Sequence, residues 1–415
     1  MGGAGAGGTD IGRLLDQVEA AAPVNSVPAV AARLAEMLGA REVNFLIADF
    51  SGRAVVRLTT TDPVDSARNH GSEQAETLPL AGTVYDRVLR TQQADVHPVD
   101  DGARMVVPVT SRGDAIGLLE LLLPRLPSAH EVADIGSAAH ALAYILIAAR
   151  RYTDVFEWGQ RTTPFSLAAE IQRRLLPAAF TCEAGQFTLA GWLEPAAAVG
   201  GDTFDYTLDR DGLQVSITDA VGHQVAASLL ATLLVGGLRN GRRKGLGLGE
   251  QARYANDCLA ENAPPGQFVT GQLLRVDLHT GTAVIVNAGH TLPLRLRGGV
   301  VEQIELRVEV PFGVLRGKTF DVQPFPLQPG DRIVFLTDGM QERNAASLDV
   351  AAALAATADL HPREVVHALG AAVLHATGGD LRDDATMVCL DWYGGPPHGR
   401  NTEQGADPDR ASTSA

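Results

Sequence analysis

The chain has 415 residues, 45% hydrophobic and 20% charged, with 34 Lys and Arg against 49 Asp and Glu for a formal net charge of −15. That length holds two or three units with cores of their own, the composition excludes a wholly disordered chain, and the acidic balance excludes broad binding to a nucleic-acid backbone. Three scattered cysteines, Cys182, Cys258 and Cys389, exclude a disulfide framework or a thiolate zinc knuckle and fit a reducing, cytoplasmic setting.

Residues 1–9 are mostly Gly and Ala, so 1–11 are expected to be disordered and lack the charged start and apolar core of a secretion signal. A helix from Val27 to Leu38 leads to the apolar run Val43–Ala48, a Ser51-Gly52 turn and the strand-like Ala54–Leu58. A second strand pair follows, Met105–Val109 turning at Arg112-Gly113-Asp114 into Ile116–Leu122, and then a long helical stretch from Ala129 to Gln160. Its richest apolar part, Ala139–Ala149, is interrupted by His140 and falls short of the ~18–20 residues that cross a bilayer, so no membrane segment is expected. The element order predicts an α+β unit with an antiparallel sheet, and the VVPV…GxxxGxLEL pair before a terminal helix resembles a GAF-type sensory domain over 12–150. The resemblance implies either a small-molecule ligand in the sheet and its covering loops or a signalling dimer. His70, His97, His130 and His140 offer donors for a haem or metal, but their unrelated spacings favour solvated or core histidines.

The break Thr162-Thr163-Pro164 marks the domain boundary, and 151–184 reads as a helical linker. Within it Phe165–Pro177 places Leu167, Ile171 and Leu175 on one helical face, suited either to docking on the next domain or to transmitting a signal into it. Residues 185–393 are strand-rich: Leu213–Ile217 alternates, Leu273–Asp277 and Ala283–Val286 flank a turn, and Ile333–Leu336 follows Pro329-Gly330-Asp331. Helices are expected over Val225–Arg239, Glu250–Glu261, Leu348–Ala358 and Pro362–Thr377. The basic run Arg239–Lys244 suits a helix C-terminus, or a mobile positive flap that attracts a phosphorylated partner. Residues 394–415 hold almost nothing a core can use and are expected to form a disordered tail.

Aspartates stand directly after apolar strands in four separate places: Asp202 and Asp205 in GGDTFDY, Asp219 in TDAVGH, Asp338 in LTDGM, and Asp383 and Asp384 in DDAT. One such residue is a turn former or helix cap; several at one end of a sheet repel one another and need cations between them. An all-oxygen set suits Mg²⁺ or Mn²⁺, with two ions expected about 3.5–4 Å apart.

GGDTFDY, TDAVGH, NAGHTLPL (Asn287–Leu294), VPFGVL (Val310–Leu315), LTDGMQE and DDAT, in this order and preceded by Ile171-Gln172 and Leu175-Leu176-Pro177, resemble the SpoIIE/RsbU-type serine/threonine phosphatases of the PPM (PP2C-like) superfamily over 165–393. The resemblance implies an αββα sandwich, a binuclear Mg²⁺ or Mn²⁺ centre and hydrolysis of phosphoserine or phosphothreonine on protein. It assigns Asp219 as the carboxylate bridging both ions, the Ala220 carbonyl as a further ligand, Asp202 as the ligand or water-holder from the first strand, and Asp338 and Asp383 as the ligands that complete the site. Asp205 and Asp384 become supporting or alternative acids, while Gly339 and Thr386 shape turns. A water shared by the two ions then attacks phosphorus as hydroxide, with no protein nucleophile. His223 is the candidate acid for the leaving serine oxygen, or a packed histidine at a helix start, and His290 reads as structural. Val221 and Gln224 depart from the family's DxSGHG pattern and bear on loop geometry and rate.

The implied protein is a phosphatase under the control of its N-terminal sensor, a likeness that further implies a homodimer acting on a phosphorylated anti-sigma-factor antagonist. The alternative is a phosphatase-like scaffold that binds a partner without turnover; retention of mutually repelling acids argues against it.

Overall fold

Runs of Val, Ile and Leu in the first part of the chain pair into one antiparallel sheet. The computed structural model describes residues 11–60, 69–71, 73–162, 166–195, 200–341, 348–379 and 381–412. They divide into two units, Met1–Pro164 with Asn401–Ala415, and Phe165–Arg400.

The first unit contains α1 (Ile11–Ala20), α2 (Ser26–Leu38), β1 (Glu42–Ala48), β2 (Ala54–Thr60), β3 (Asn69–His70), β4 (Glu73–Pro79), α3 (Val84–Thr91), β5 (Asp95–Val99), β6 (Gly102–Ser111), β7 (Asp114–Leu123), α4 (Ala129–Ala149) and α5 (Val155–Gly159). The sheet order is β3-β4-β2-β1-β7-β6-β5. Side chains alternate across it: Phe45, Ile47, Leu119 and Leu121 join a core with α1, α2 and α4, while Leu46 and Leu118 face α3. On the α3 face the buried Glu120 accepts from Arg57 at 2.7 Å, Tyr85 at 2.9 Å and Arg104 Nε at 2.7 Å. Arg112 and Gly113 both take positive φ, which fits the tight β6–β7 turn that joins Ser111 to Asp114.

The structure departs from the sequence expectation in three places here. The stretch 129–160 is two helices, not one; α4 begins at a Ser128–Glu131 capping box and ends at Ala149. Among the described residues α4 is the one helix long and apolar enough to cross a membrane by length and composition, although half of its apolar window is buried. The segment 394–412 is not loose. Gly405 O accepts from Gly113 N at 3.0 Å, Ala406, Asp407 and Ser412 are buried, and in the second unit Gln186 donates to Gly395 O at 2.8 Å while Arg400 pairs with Glu183. Main-chain bonds, glycine contacts and ion pairs hold it, none of which shows as an apolar run. His97 lies 3.0 Å from Asp95, and His140 Nδ1 lies 2.9 Å from Thr110 O; the His70 side chain lies outside what is described.

The second unit contains α6 (Leu167–Leu175), β8 (Thr181–Glu183), β9 (Phe187–Glu194), β10 (Thr203–Leu208), β11 (Gly212–Ala220), α7 (Gln224–Arg243), α8 (Leu248–Asn262), β12 (Val269–Asp277), β13 (Ala283–Ala288), β14 (Leu294–Arg297), β15 (Val300–Gln303), β16 (Gln323–Phe325), β17 (Asp331–Leu336), α9 (Val350–Ala355), α10 (Pro362–Ala376) and β18 (Ala385–Trp392). Its strands form two antiparallel sheets, β10-β11-β12-β13-β16 and β15-β14-β17-β18-β9-β8. Phe204, Val215, Ile217, Phe335, Val388 and Leu390 fill the space between them. Helices α7 and α8 cover the outer face of the first sheet through Leu234, Ala255 and Leu273, and α9 and α10 cover the second through Leu354, Leu369 and Cys389. The layers therefore run helix, sheet, sheet, helix, as expected.

The expected linker 151–184 is divided between the units, α5 in the first and α6 with β8 in the second. The buried face of α6 also differs from the expected Leu167-Ile171-Leu175 stripe. Ala168, Ala169 and Gln172 are buried, whereas Leu167 is 66% exposed. Small side chains permit a close approach to α7, and the polar Gln172 is accommodated by hydrogen bonds described below.

Candidate metal centre

Four strands carry their inward alternation one step past the apolar core, and polar groups take over at that step. In β11, Leu213, Val215 and Ile217 face the sandwich and Asp219 continues their side; Phe204 does the same for Asp202, Phe335 for Thr337, and Val388 for Asp384. Two of these strands belong to each sheet, so the acids meet at one end of the sandwich from both sides. Asp338 and Asp383, one residue out of that register, occupy the more accessible rim.

Hydrogen bonds tie the segments together. Thr337 Oγ1 donates to Asp202 Oδ2 at 2.7 Å and receives the Thr386 amide at 3.0 Å. The buried Asp384 Oδ2 accepts from Gly201 N at 3.1 Å and from Gln172 Nε2 at 2.6 Å, and the same Gln172 nitrogen lies 2.8 Å from Asp202 O. Two glycines make the close approaches possible. A Cβ on Gly339 would stand 1.9 Å from Asp384 O, and one on Gly201 would stand 2.5 Å from Ala220 O.

The electrostatics report the crowding. Burial, then the charges of Asp219 and Asp384, hold Asp202 well above the usual carboxylate range, with the Thr337 hydroxyl opposing. Asp219 is pushed up to about 7 by burial and by Asp338, Asp383 and Asp384. Burial raises Asp383, the Asp384 amide opposes it, and the Asp338 charge adds to it. Among the described residues no Lys, Arg or His pairs with Asp202, Asp219, Asp338 or Asp383. No set of three or more His, Cys, Asp or Glu there forms a ready coordination shell. The available donors are carboxylates and the Ala220 carbonyl, an all-oxygen set whose unbalanced charge suits hard divalent ions.

Other expected residues fall elsewhere. Asp205 follows the inward Phe204 and so points to the opposite face, where it pairs with Arg239 at 3.1 Å and Arg242 at 2.6 Å; it is a support for α7, not a companion of Asp202. The same pairs, with Lys244 4.1 Å from the Tyr254 ring centroid, anchor the basic run as a helix end and not as a loose flap. His223 is exposed at the N-cap of α7. His290 is buried, bonded through Nδ1 to Thr270 at 2.8 Å, and lowered by burial to about 4, which keeps it neutral. Gln224 has φ +58, a left-handed conformation that glycine adopts freely. Sequence reasoning gave no separate role to Gln172 or Thr337; a glutamine inside a helical apolar face was the available signal for the first.

Residues 209–393 match the family model for Stage II sporulation protein E, SpoIIE; the match includes Asp219, Asp338, Asp383 and Asp384, and Asp202 lies before it. Protein IcfG of Synechocystis sp. is 24% identical over 201 residues, which are 42% of this chain and 32% of that relative's length. The RsbU and RsbW domains of Rv1364c from Mycobacterium tuberculosis are 25% identical with a TM-score of 0.45, covering 51% of this chain and 62% of that one. The PP2C phosphatase domain of SpoIIE from Bacillus subtilis, with a fragment of its regulatory domain, is 19% identical with a TM-score of 0.44, covering 51% and 65%.

Proposed function

We propose, from the premise that residues 209–393 form a SpoIIE-type domain of the PPM protein-phosphatase superfamily, that the chain hydrolyses phosphoserine or phosphothreonine on a regulatory partner protein. The observation that carries this reading is the meeting of Asp202, Asp219, Asp338, Asp383 and Asp384 from both sheets, with Asp202, Asp219 and Asp383 raised. Asp219, Asp202, Asp338 and Asp383, with the Ala220 carbonyl, would hold two Mg²⁺ or Mn²⁺ ions, and Asp219 is the ligand assigned to both. When bound, such ions acidify a shared water and offset charge on the phosphoryl oxygens.

The chain's own contribution is placement. Thr337 fixes one oxygen of Asp202, and Asp384 anchors the Gly201 amide so that the first-strand turn keeps its position. The exposed rim at Asp338 gives a phosphorylated side chain access, and His223, four residues beyond Asp219, serves as proton donor to the leaving oxygen. We assign the first unit, GAF-like by its element order, to regulation of this site, through a homodimer or a small-molecule ligand. The substrate assigned is a phosphorylated anti-sigma-factor antagonist.

The test is hydrolysis of p-nitrophenyl phosphate and of a phosphoserine protein with and without Mn²⁺, in the unaltered chain and in Asp219→Ala and Asp338→Ala. Activity should require the ion and fall at least about 100-fold in both variants. Equal rates in the three proteins would refute the metal mechanism. Tight partner binding with no turnover would favour the scaffold.

A further inference from the structure

Helix α6 runs beside the segment 200–205 and is joined to it by a bridging side chain near its start, its middle and its end. Ser228 Oγ lies 3.1 Å from Ala168 O and 2.6 Å from Gly200 O. Gln172 Nε2 donates to Asp202 O at 2.8 Å and to Asp384 Oδ2 at 2.6 Å. Arg239 Nη2 donates to Leu175 O at 2.5 Å and pairs with Asp205 at 3.1 Å. Of the bridging groups, Gln172 alone comes from α6 and touches acids of the candidate centre, and it is 1% exposed. Each of its bonds replaces one that water would make, so displacing α6 would leave a buried amide and a buried carboxylate without that partner.

We propose that Gln172 is a positioning residue: docked α6 holds Asp384 and the Asp202 main chain through it, so that the affinity of the acid cluster for divalent ions depends on α6 being seated. The inference deepens the phosphatase reading and rests on it. Geometry supports the direction of control. Gln172 touches the Asp202 main chain directly, and through Asp384, which holds the Gly201 amide, it reaches the point where Gly201 abuts the Ala220 carbonyl beside Asp219, so one side chain on α6 is linked to both first-sheet acids. An amide suits this work because it donates to a carbonyl and to a carboxylate while adding no charge to a site that is already crowded with acids.

The experiment measures Mn²⁺ affinity of the full chain by isothermal titration calorimetry, with thermal midpoint and p-nitrophenyl phosphate hydrolysis recorded in parallel. Gln172→Ala should weaken Mn²⁺ binding roughly 10–100-fold, the range for loss of an outer partner, with kcat recovering toward the unaltered value as Mn²⁺ is raised. Gln172→Glu should weaken it further, because two carboxylates then face each other. Combining Gln172→Glu with Asp384→Asn restores a donor–acceptor pair and should recover affinity above that of either single variant. Mn²⁺ affinity unchanged in Gln172→Ala and Gln172→Glu, whatever happens to the thermal midpoint, would overturn the inference while leaving the phosphatase reading intact. Failure of the unaltered chain to bind Mn²⁺ would overturn both.

Discussion

The carboxyl of Asp219 illustrates how a single residue reports on its neighbours. Its value rises from 3.8 to about 7, so in the absence of metal the folded chain keeps a proton that the unfolded chain has released. Its contribution to stability is therefore complete below the unfolded value and is lost as pH climbs through about 7; Asp202 acts in the same direction. Chelator-treated protein should lose urea resistance between about pH 4 and pH 7 relative to Asp219→Asn, by on the order of a few kcal/mol at most. Mn²⁺ should reverse that slope, since an ion takes the place of the proton. Parallel curves for the two proteins would count against the shared burial of these acids. Gln224 adds a second local tension, a left-handed backbone without glycine, at the first residue of α7, five residues beyond Asp219.

At the scale of elements, the turn after β17 is pressed against the start of β18 with no room for a side chain. Gly339→Ala should push Asp338 away from Asp383 and Asp384, weaken Mn²⁺ binding at least about 10-fold, and lower the urea midpoint through the 1.9 Å clash. Retained affinity in that variant would show that the turn has slack. The strands and most helices on either side were legible beforehand, because apolar alternation and helical periodicity continue through them; β11 and α10 are clear cases. The clustering of the acids was legible where an acid followed an apolar strand, as at Asp219 and Asp338. Asp205 was misplaced because a three-residue offset from Asp202 crosses the strand's alternation and reverses its face. The buried side of α6 was misread at Leu167, because alanine and a hydrogen-bonded glutamine suit a close helix–helix approach there, while Leu175 does pack against the core under α7 and α8. Partners such as Asp384 for Gln172 lie 212 residues apart, and no local pattern encodes them.

The whole molecule is two units built from three stretches of chain, since residues 401–415 belong with 1–164. Ending the chain at Arg400 removes the Gly405–Gly113 bond and the buried Ala406, Asp407 and Ser412. The first unit should then unfold several degrees earlier, roughly 4–8 °C for a loss of about 2 kcal/mol, while Mn²⁺ affinity of the second stays within about twofold. Differential scanning calorimetry with a metal titration checks both, and an unmoved first transition would show the segment to be dispensable. The same arrangement fixes an order of events on the ribosome. At about 5–20 residues per second, synthesis of the intervening 165–400 takes tens of seconds, during which the opening stretch waits for its closing strip. The acid cluster is thus fully synthesised before the first unit is whole, and each newborn molecule passes through an interval in which the second unit can fold while the first still lacks residues 401–415.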